Sequence, residues 1–294
     1  MKLVVLLMVL IVLLIAAYLG AGYTLYDQLS TVKRNPQNAL NTPAHFQVNE
    51  APFQKFDTAP YAMPDYQAVR FPSRQPGLML AGWYVPGDPA APAIVVTHGL
   101  SSCKCEGAII VAAGMLHRHG FNVLLYDLRN HGESDSDGGR TAIGNKEYLD
   151  VLGAWDWLAA KGFPPERIGV YGASLGAGTT LIAFGEEPRI AAAFVDSPFS
   201  DLRQVIDETL TRQHYPTVLA YSGLWMARLV GGVGCGFGVG DLDNELFDLG
   251  AAWQSPGVRV HRQPVVCWIT ASRARWMRPL MAGTLVFSAS ATWS

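Results

Sequence analysis

Acidic side chains and histidines are absent from the end of this 294-residue sequence. No aspartate or glutamate follows Asp248, and no histidine follows His261. General acid–base catalysis draws mostly on histidine and carboxylates. Residues 262–294 are therefore excluded as a source of a histidine base or of an acid that orients one. We treat residues 271–294, which also carry several arginines, as an atypical tail.

Cysteine is scarce too, and the four cysteines show neither a metal pattern nor a disulfide pattern. They are Cys103, Cys105, Cys235 and Cys267, with no CxxC pair among them. We expect free thiols. No cluster of histidine, aspartate and glutamate has the spacing of a metal site, so the sequence predicts no metal. It predicts no other cofactor either.

The sequence has no large excess of charge of either sign, with a formal net charge of -2. Without a basic surface the chain offers no footprint for nucleic acid, and that class of partner is excluded. Residues 231–240 carry glycine at nearly every second position. A dinucleotide site is not indicated there, because no clear strand precedes the run and no helix follows it.

Charge is missing altogether from Leu3 to Leu19, and the next acidic residue is Asp27. As a helix, the stretch from Leu3 to Leu25 would be about 34 Å long, enough to cross a bilayer. We predict an uncleaved transmembrane anchor over residues 1–25, with a cleaved signal peptide as the alternative. The orientation in the membrane is only weakly determined by the flanking charges. Residues 26–65, polar with scattered prolines, are interpreted as a linker.

Short apolar runs then alternate with segments of helical periodicity, which predicts crossover units and a parallel sheet. The predicted strands include Leu78–Val85, Ala93–Thr97, Phe121–Tyr126, Ile168–Tyr171 and Ile190–Val195. Helices are predicted over residues 107–119, 145–161 and 175–184. The fold class is therefore α/β, with helices on both faces of a mostly parallel sheet.

The segment Gly172-Ala-Ser-Leu-Gly176 places a serine between two glycines, after a buried strand and before a helix. GxSxG by itself occurs easily by chance, but this context is that of a nucleophile elbow. The glycines allow the strand and helix to approach closely, and the turn lifts the Ser174 oxygen to the positive end of the helix.

Three further segments end the neighbouring strands: Thr97-His-Gly-Leu100, Asp127-Leu-Arg-Asn-His-Gly-Glu-Ser134 and Asp196-Ser-Pro-Phe-Ser-Asp201. Together with Gly82-Trp-Tyr84 and the elbow, they resemble the α/β-hydrolase superfamily. More narrowly, they are similar to its membrane-anchored branch of serine-aminopeptidase-like and lysophospholipase-like hydrolases. The resemblance predicts an α/β-hydrolase domain over residues 66–270, with a lid at about 202–230.

The resemblance also implies roles. Ser174 matches the nucleophile, and the backbone N–H groups of Leu175 and Leu100 match the two donors of an oxyanion hole. The resemblance gives His98 and His131 no role as a base, and we interpret both as imidazoles that hydrogen-bond the loop backbone. Asp127 and Arg129 are interpreted as shaping their loop in the same way. Asp196 could orient a histidine, although capping the turn after it is the simpler interpretation.

The family's acid and histidine follow later strands, and neither is found here. After the apolar run Pro264–Ile269 no acid and no histidine occurs, so the last strands are expected to be incomplete. His214, in the lid region, is the possible substitute base. His261 precedes the apolar run and is expected at the opposite end of the sheet from Ser174. The abrupt change of composition suggests a shifted reading frame, which the nucleotide sequence of the gene would decide.

Two functions remain open at this point. The first is a serine hydrolase acting on an ester, thioester or amide through an acyl-enzyme, impaired because the triad acid and histidine are missing. The second is a catalytically dead binding protein with the same fold. In either case the expected partner is a small acyl-type molecule, a class that includes lipid-like molecules met at a membrane. If the first helix is cleaved as a signal peptide, the protein would instead be secreted.

Overall fold

The structure is a computed structural model that describes residues 2–33, 40–49, 55–197, 259–262 and 266–270. The predicted lid at 202–230, His214 and the tail at 271–294 lie outside these residues. The chain divides into two units, one with residues 1–31 and the other beginning at Val32.

Helix α1 (Lys2–Ser30) forms the described part of the first unit. Its residues Lys2–Gln28 have a mean hydropathy of 3.1, and its large apolar side chains from Leu3 to Ile15 are 48–70% exposed. Length and composition suffice for a membrane span, and a signal sequence would meet the same test. The helix extends five residues beyond the predicted end at residue 25, because Tyr26–Ser30 continue it without a break.

The second unit is built on one mixed sheet, in which eight strands are described. In chain order they are β1 (Gln67–Pro72), β2 (Met79–Val85), β3 (Ala93–Thr97), β4 (Asn122–Tyr126), β5 (Ile168–Ala173), β6 (Ala192–Asp196), β7 (Arg259–Arg262) and β8 (Val266–Thr270). Their spatial order is β1-β2-β4-β3-β5-β6-β8-β7. The α/β fold class predicted from the alternating pattern is confirmed. The sequence patterns missed only β1 and β7 among these strands.

The four central strands β4, β3, β5 and β6 are parallel, and the antiparallel strands lie outside them. From β3 the chain crosses to β4 on one side and later returns to β5 on the other. The loops that follow β3 and β5 therefore diverge at the carboxyl edge of the sheet. Such a switch point leaves the crevice where open α/β sheets bind their ligands.

Helices cover both faces of the sheet, because successive strand residues point to opposite sides. Val95, Leu124 and Val170 lie in one core cluster, together with buried residues of α3 (Tyr148–Ala160) and α4 (Leu175–Glu186). Their neighbours in sequence, such as Ile94 and Leu125, lie in a second cluster with α2 (Gly107–Arg118). The continuous apolar runs of the sequence are explained by this burial on both faces.

The segment before residue 66 is more than the linker that its prolines suggested. Phe46, Val48 and Met63 are buried in the same core cluster as α2. The Asn41 side-chain amide donates to the carbonyls of Gln47 (3.0 Å) and Cys105 (3.1 Å). The second unit therefore starts well before the predicted boundary at 66, because apolar side chains scattered among prolines still fill the space over α2.

The last two strands correct the expected position of His261. Strand β8 pairs antiparallel with β6, with Val266 opposite Asp196. It therefore begins, rather than ends, at the carboxyl edge of the sheet. His261 in β7 pairs with Trp268, which in turn pairs with Phe194. Its backbone thus lies two rows from the carboxyl end of β6, three strands away from β5, and not at the far end of the sheet. The apolar pattern predicts a strand here but carries no information on its direction.

Candidate active site

Ser174 stands alone between β5, which ends at Ala173, and α4, which begins at Leu175. Its backbone has φ 54° and ψ -118°, a conformation that side-chain-bearing residues rarely adopt. Such strain persists only where the surroundings enforce it, and it is concentrated at functional sites. The Ser174 N–H donates to the Asp196 carbonyl of β6 at 3.0 Å. The elbow is thus tied to the neighbouring strand as well as to its own helix.

Two glycines allow the chain to close around this turn. A Cβ atom on Gly172 would overlap the carbonyl oxygen of Gly176. A Cβ atom on Gly176 would lie 2.5 Å from the carbonyl oxygens of both Thr97 and His98. The GxSxG spacing is therefore required by two close approaches. One is between the strand and helix of the elbow, and the other is between the helix and the end of β3.

The loop after β3 reaches the serine through Gly99. A Cβ atom built on Gly99 would lie 3.4 Å from the Ser174 Cβ atom and 3.8 Å from its Oγ atom. Leu100 follows directly, and Leu175 is the first residue of α4. The two predicted oxyanion residues thus lie in the two segments next to Ser174. Leu175 opens α4 at its positive end, and Leu100 follows the glycine that contacts the serine.

The two histidines of the flanking loops hold the backbone, as predicted. His98 Nε2 accepts the Leu128 N–H at 3.0 Å, and its Nδ1 bonds the Gly99 carbonyl at 2.7 Å. His131 Nε2 accepts the Ser101 N–H at 3.1 Å, and its Nδ1 bonds the Arg129 carbonyl at 2.7 Å. Since both nitrogens of each ring are engaged with backbone groups, neither imidazole is free to take the proton of Ser174.

Burial keeps these two rings neutral. Removal from water, together with the neighbouring His131, lowers the pKa of His98 to about 3. Burial also lowers the pKa of His131. The ring centroids are 4.9 Å apart in an edge-to-face arrangement. Two imidazolium charges at that distance would repel each other, so the two rings cannot readily be charged together.

Asp127 shapes the adjoining loop through an ion pair that the sequence did not predict. Its carboxylate accepts a hydrogen bond from the Lys104 ammonium at 2.6 Å. It also accepts hydrogen bonds from the backbone N–H groups of Lys104 (2.7 Å) and Glu133 (2.9 Å). Burial is the largest influence and acts to raise the pKa of Asp127, but the attraction of Lys104 and the hydrogen bonds from the Lys104 ammonium and the Glu133 N–H together outweigh it, and the pKa is lowered. Lys104 also bonds the Glu133 carboxylate and lies 4.8 Å from the centre of the Trp83 ring.

Arg129 shapes the same loop from the other side. Its guanidinium makes two hydrogen bonds, of 2.9 and 2.7 Å, with the buried carboxylate of Asp150 in α3. Its backbone N–H adds a third bond to Asp150. The interpretation of Asp127 and Arg129 as loop-shaping residues is confirmed. Their partners Lys104 and Asp150 were missed. Asp150 interrupts the apolar run Tyr148–Leu152, and this was the one signal in the sequence that could have revealed it.

The expectation of four free thiols is wrong for one pair. Cys103 and Cys105 form a disulfide, with their Cα atoms 5.0 Å apart. The turn between β3 and α2 brings these atoms within the range that a disulfide requires. The two cysteines are separated by a single residue, so rules based on CxxC spacing do not predict this disulfide. The disulfide encloses Lys104, so the residue that pairs with Asp127 is held on both sides.

The Asp196 carboxylate accepts the Ser197 hydroxyl at 2.9 Å, which agrees with a role in the turn after β6, and burial raises its pKa. His214 lies outside the described residues. Within the described ranges, no group of three or more His, Cys, Asp or Glu side chains is arranged to hold a metal ion.

A mixed, mostly parallel sheet with a strained serine at the switch point is typical of an α/β hydrolase. The sequence model of the X-Pro dipeptidyl-peptidase (S15) family matches residues 27–221, about two thirds of the chain. The chain belongs to this family. The superfamily that the sequence motifs resemble is thereby confirmed, and the chain is a hydrolase by family. The narrower assignment to a membrane-anchored branch stays a prediction.

Curated relatives include hydrolases and acyl-transferring enzymes. A thiohydrolase of Aspergillus aculeatus, aneE, is 31% identical over 145 residues, covering 49% of this chain and 43% of the relative. A polyketide transferase of Aspergillus fumigatus, af380, is 34% identical over 134 residues, covering 45% of each protein. These alignments span less than half the length of the relatives. The family thus includes both hydrolase and acyltransferase types.

Among solved structures, an esterase of Pyrococcus furiosus is similar over 65% of this chain and 67% of its own, with 24% identity and a TM-score of 0.48. The α/β hydrolase GrgF of a Penicillium species is similar over 72% of this chain and 71% of its own, with 21% identity and a TM-score of 0.44.

Proposed function

We propose that Ser174 is the nucleophile of a serine hydrolase that forms an acyl-enzyme with an ester, thioester or amide. The observation that carries this proposal is the serine's left-handed φ at the start of α4, with Gly99 against its side chain. Backbone strain of this kind is concentrated at functional sites, and at Ser174 it coincides with the close approach of the loop after β3. The thioester is the bond suggested by the name of one relative, a thiohydrolase. Small acyl substrates, including lipid-like ones, fit this class.

In the proposed reaction the Ser174 oxygen attacks the substrate carbonyl carbon while a base takes its proton. The carbonyl oxygen gains a negative charge, which the N–H groups of Leu175 and Leu100 would receive. Collapse of this intermediate expels the leaving group with a proton and leaves the acyl group on Ser174. Water then releases the acid by the same steps in reverse order.

The proposed reaction needs a general base, and the chain offers few candidates for it. His98 and His131 are engaged with the backbone, and residues 262–294 contain neither an acid nor a histidine. We propose that the chain is impaired for this reason, with His214 as the possible substitute base. The competing proposal is a catalytically dead α/β-hydrolase-like protein that only binds an acyl ligand.

We expect p-nitrophenyl ester turnover by the full chain to be far below that of a hydrolase with a complete triad. Without base and acid, the oxyanion hole and binding retain about 10³–10⁴-fold over water. Ser174→Ala should therefore change turnover little. A fluorophosphonate probe should label the protein slowly, at Ser174 and not in Ser174→Ala. Ser197→Ala is the matched control, because Ser197 also follows a strand with φ 54°, and it should label like the wild type.

Robust turnover that Ser174→Ala abolishes would show a working base, and His214→Ala would be the next variant to measure. No labelling at any time, with retained binding of a fatty acid, would favour the binding protein instead.

We also propose that α1 is an uncleaved, single-pass membrane anchor. Its exposed apolar surface over Leu3–Ile15 has no other described role. The full chain should stay in the membrane pellet after a carbonate wash, whereas residues 26–294 should be released. The intact mass of the extracted protein should include the first 25 residues. A mass that lacks them would identify a signal peptide and a secreted protein.

A further inference from the structure

The peptide groups on the two sides of Leu100 are each held by a buried imidazole. On one side, His98 Nδ1 bonds the carbonyl oxygen of Gly99 at 2.7 Å. On the other, the N–H of Ser101 bonds Nε2 of His131 at 3.1 Å. Both rings are fully buried. Leu100 itself is 42% exposed, so the held segment is a surface loop and not part of the core.

The partners of each ring determine where its proton lies. A backbone N–H can only donate, so the Leu128 N–H requires an unprotonated Nε2 on His98. The Gly99 carbonyl can only accept, so Nδ1 of His98 carries the proton. The same reasoning applies to His131, which accepts from Ser101 and donates to the Arg129 carbonyl. Both imidazoles are therefore neutral and protonated at Nδ1.

These two bonds fix the direction of the Leu100 N–H. The Gly99–Leu100 peptide is planar and trans, so its N–H points away from its carbonyl oxygen. Holding the Gly99 oxygen at His98 thus aims the Leu100 N–H to the opposite side. The bond between Ser101 and His131 fixes the next peptide plane. Ser101 has φ 54°, a conformation that needs such support in a residue other than glycine.

We propose that His98 and His131 form a clamp that positions the Leu100 N–H as an oxyanion donor, an inference that rests on the proposed function. They are positioning residues, because they act through the backbone and do not contact the reacting atoms. Each uses the tautomer that its backbone partners impose. A ring protonated at Nε2 could no longer accept its N–H, so the clamp opens when either ring becomes charged.

The surroundings keep the clamp closed across neutral pH. His98 faces His131 and the Asp127–Lys104 ion pair, whereas His131 faces Glu147, Asp127 and Asp150. The carboxylates favour the charged ring, but burial opposes it more strongly and lowers both pKa values. Folded pKa values below the unfolded value mean that this part of the stability is complete above about pH 6.5. It declines as the pH falls from there toward 3.

Amide exchange tests the clamp without any need for catalysis. The full chain in detergent is compared with His131→Leu, which removes the acceptor, and with His131→Gln, whose side-chain oxygen can still accept the Ser101 N–H. We expect the Ser101 amide to exchange about tenfold faster in His131→Leu and to be largely restored in His131→Gln. Residues 168–173 of β5 report whether the fold is intact. Equal exchange at Ser101 in all three proteins, with β5 protected, would overturn the proposal.

A boronic acid tests the consequence for the oxyanion hole. Phenylboronic acid forms a boron–oxygen bond to a serine Oγ, whose proton leaves to solvent, and its tetrahedral adduct places an oxygen in the hole. We expect its affinity to fall about 10- to 100-fold in His131→Leu and to be within about threefold of wild type in His131→Gln. Unchanged affinity in His131→Leu would contradict the clamp. Absence of wild-type binding would count against the proposed function, while the exchange experiment still judges the clamp.

Discussion

Replacing Gly172 by alanine should lower the free energy of unfolding by about 3 kcal/mol or more. Overpacking usually costs about 1–3 kcal/mol, because side chains can move aside. Here the new Cβ would overlap the backbone carbonyl of Gly176 and would lie 2.5 Å from Thr180 Oγ1. A carbonyl within the first turn of α4 cannot rotate away. The strand and helix of the elbow would have to separate, and urea denaturation of the full chain in detergent measures the cost.

Gly185→Ala is the matched control for this prediction. Gly185 lies in the same helix, α4, and a Cβ there would meet nothing within 4 Å. Since alanine is favoured over glycine in a helix, we expect Gly185→Ala to stabilise the protein by up to about 1 kcal/mol. If both variants unfold at the wild-type urea concentration, the close approach at Gly172 is not a constraint of the fold.

Lys104→Met should destabilise the protein by about 3–5 kcal/mol at pH 7. Breaking a buried ion pair by removing one partner leaves the other charge without compensation in a low dielectric. The Lys104 and Asp127 side chains are 3% and 0% exposed. Methionine keeps most of the aliphatic stem, so loss of the charge, which also lies 4.8 Å from the centre of the Trp83 ring, dominates. Asp127 retains its two backbone N–H donors, which limits the loss to this range.

Arg70→Met provides the comparison at the surface. Arg70 and Asp135 form an ion pair of 2.8 Å, but their side chains are 52% and 42% exposed. Water screens such a pair, and we expect a loss below about 1 kcal/mol. Similar losses for Lys104→Met and Arg70→Met would show that burial does not govern the Lys104 pair.

The loss of unfolding free energy in Lys104→Met should also depend on pH. In the wild type Lys104 holds the pKa of Asp127 down, and this contribution to stability is lost as the pH falls through that lowered pKa. Without Lys104, burial raises the pKa of Asp127, and the carboxyl can take up a proton in mild acid. The difference between variant and wild type should therefore shrink as the pH falls from 7 toward 4. A difference in unfolding free energy that does not change with pH would show that altered packing, and not the lost charge, destabilises the variant.

Local sequence determined the elements and the elbow of this protein. A strand buried on both faces must be apolar throughout, and an elbow needs small residues two positions either side of its serine. These requirements act within a few residues, so the strand and elbow over Ile168–Gly176 could be predicted from the sequence alone. The apolar run at the start of the chain was readable for the same reason, because a bilayer sets its length.

Tertiary structure alone decided how these pieces meet. The order and direction of the strands, including antiparallel β8, depend on pairings between residues far apart in sequence. The same holds for Lys104 and Asp127, and for the histidines that hold the loop of Leu100. The Cys103–Cys105 disulfide and the packing of Phe46 and Met63 over α2 follow from loop geometry. No pattern of residue types specifies the long-range contacts, because each depends on two segments that only the folded chain brings together. The disulfide depends instead on the local geometry of the turn between β3 and α2.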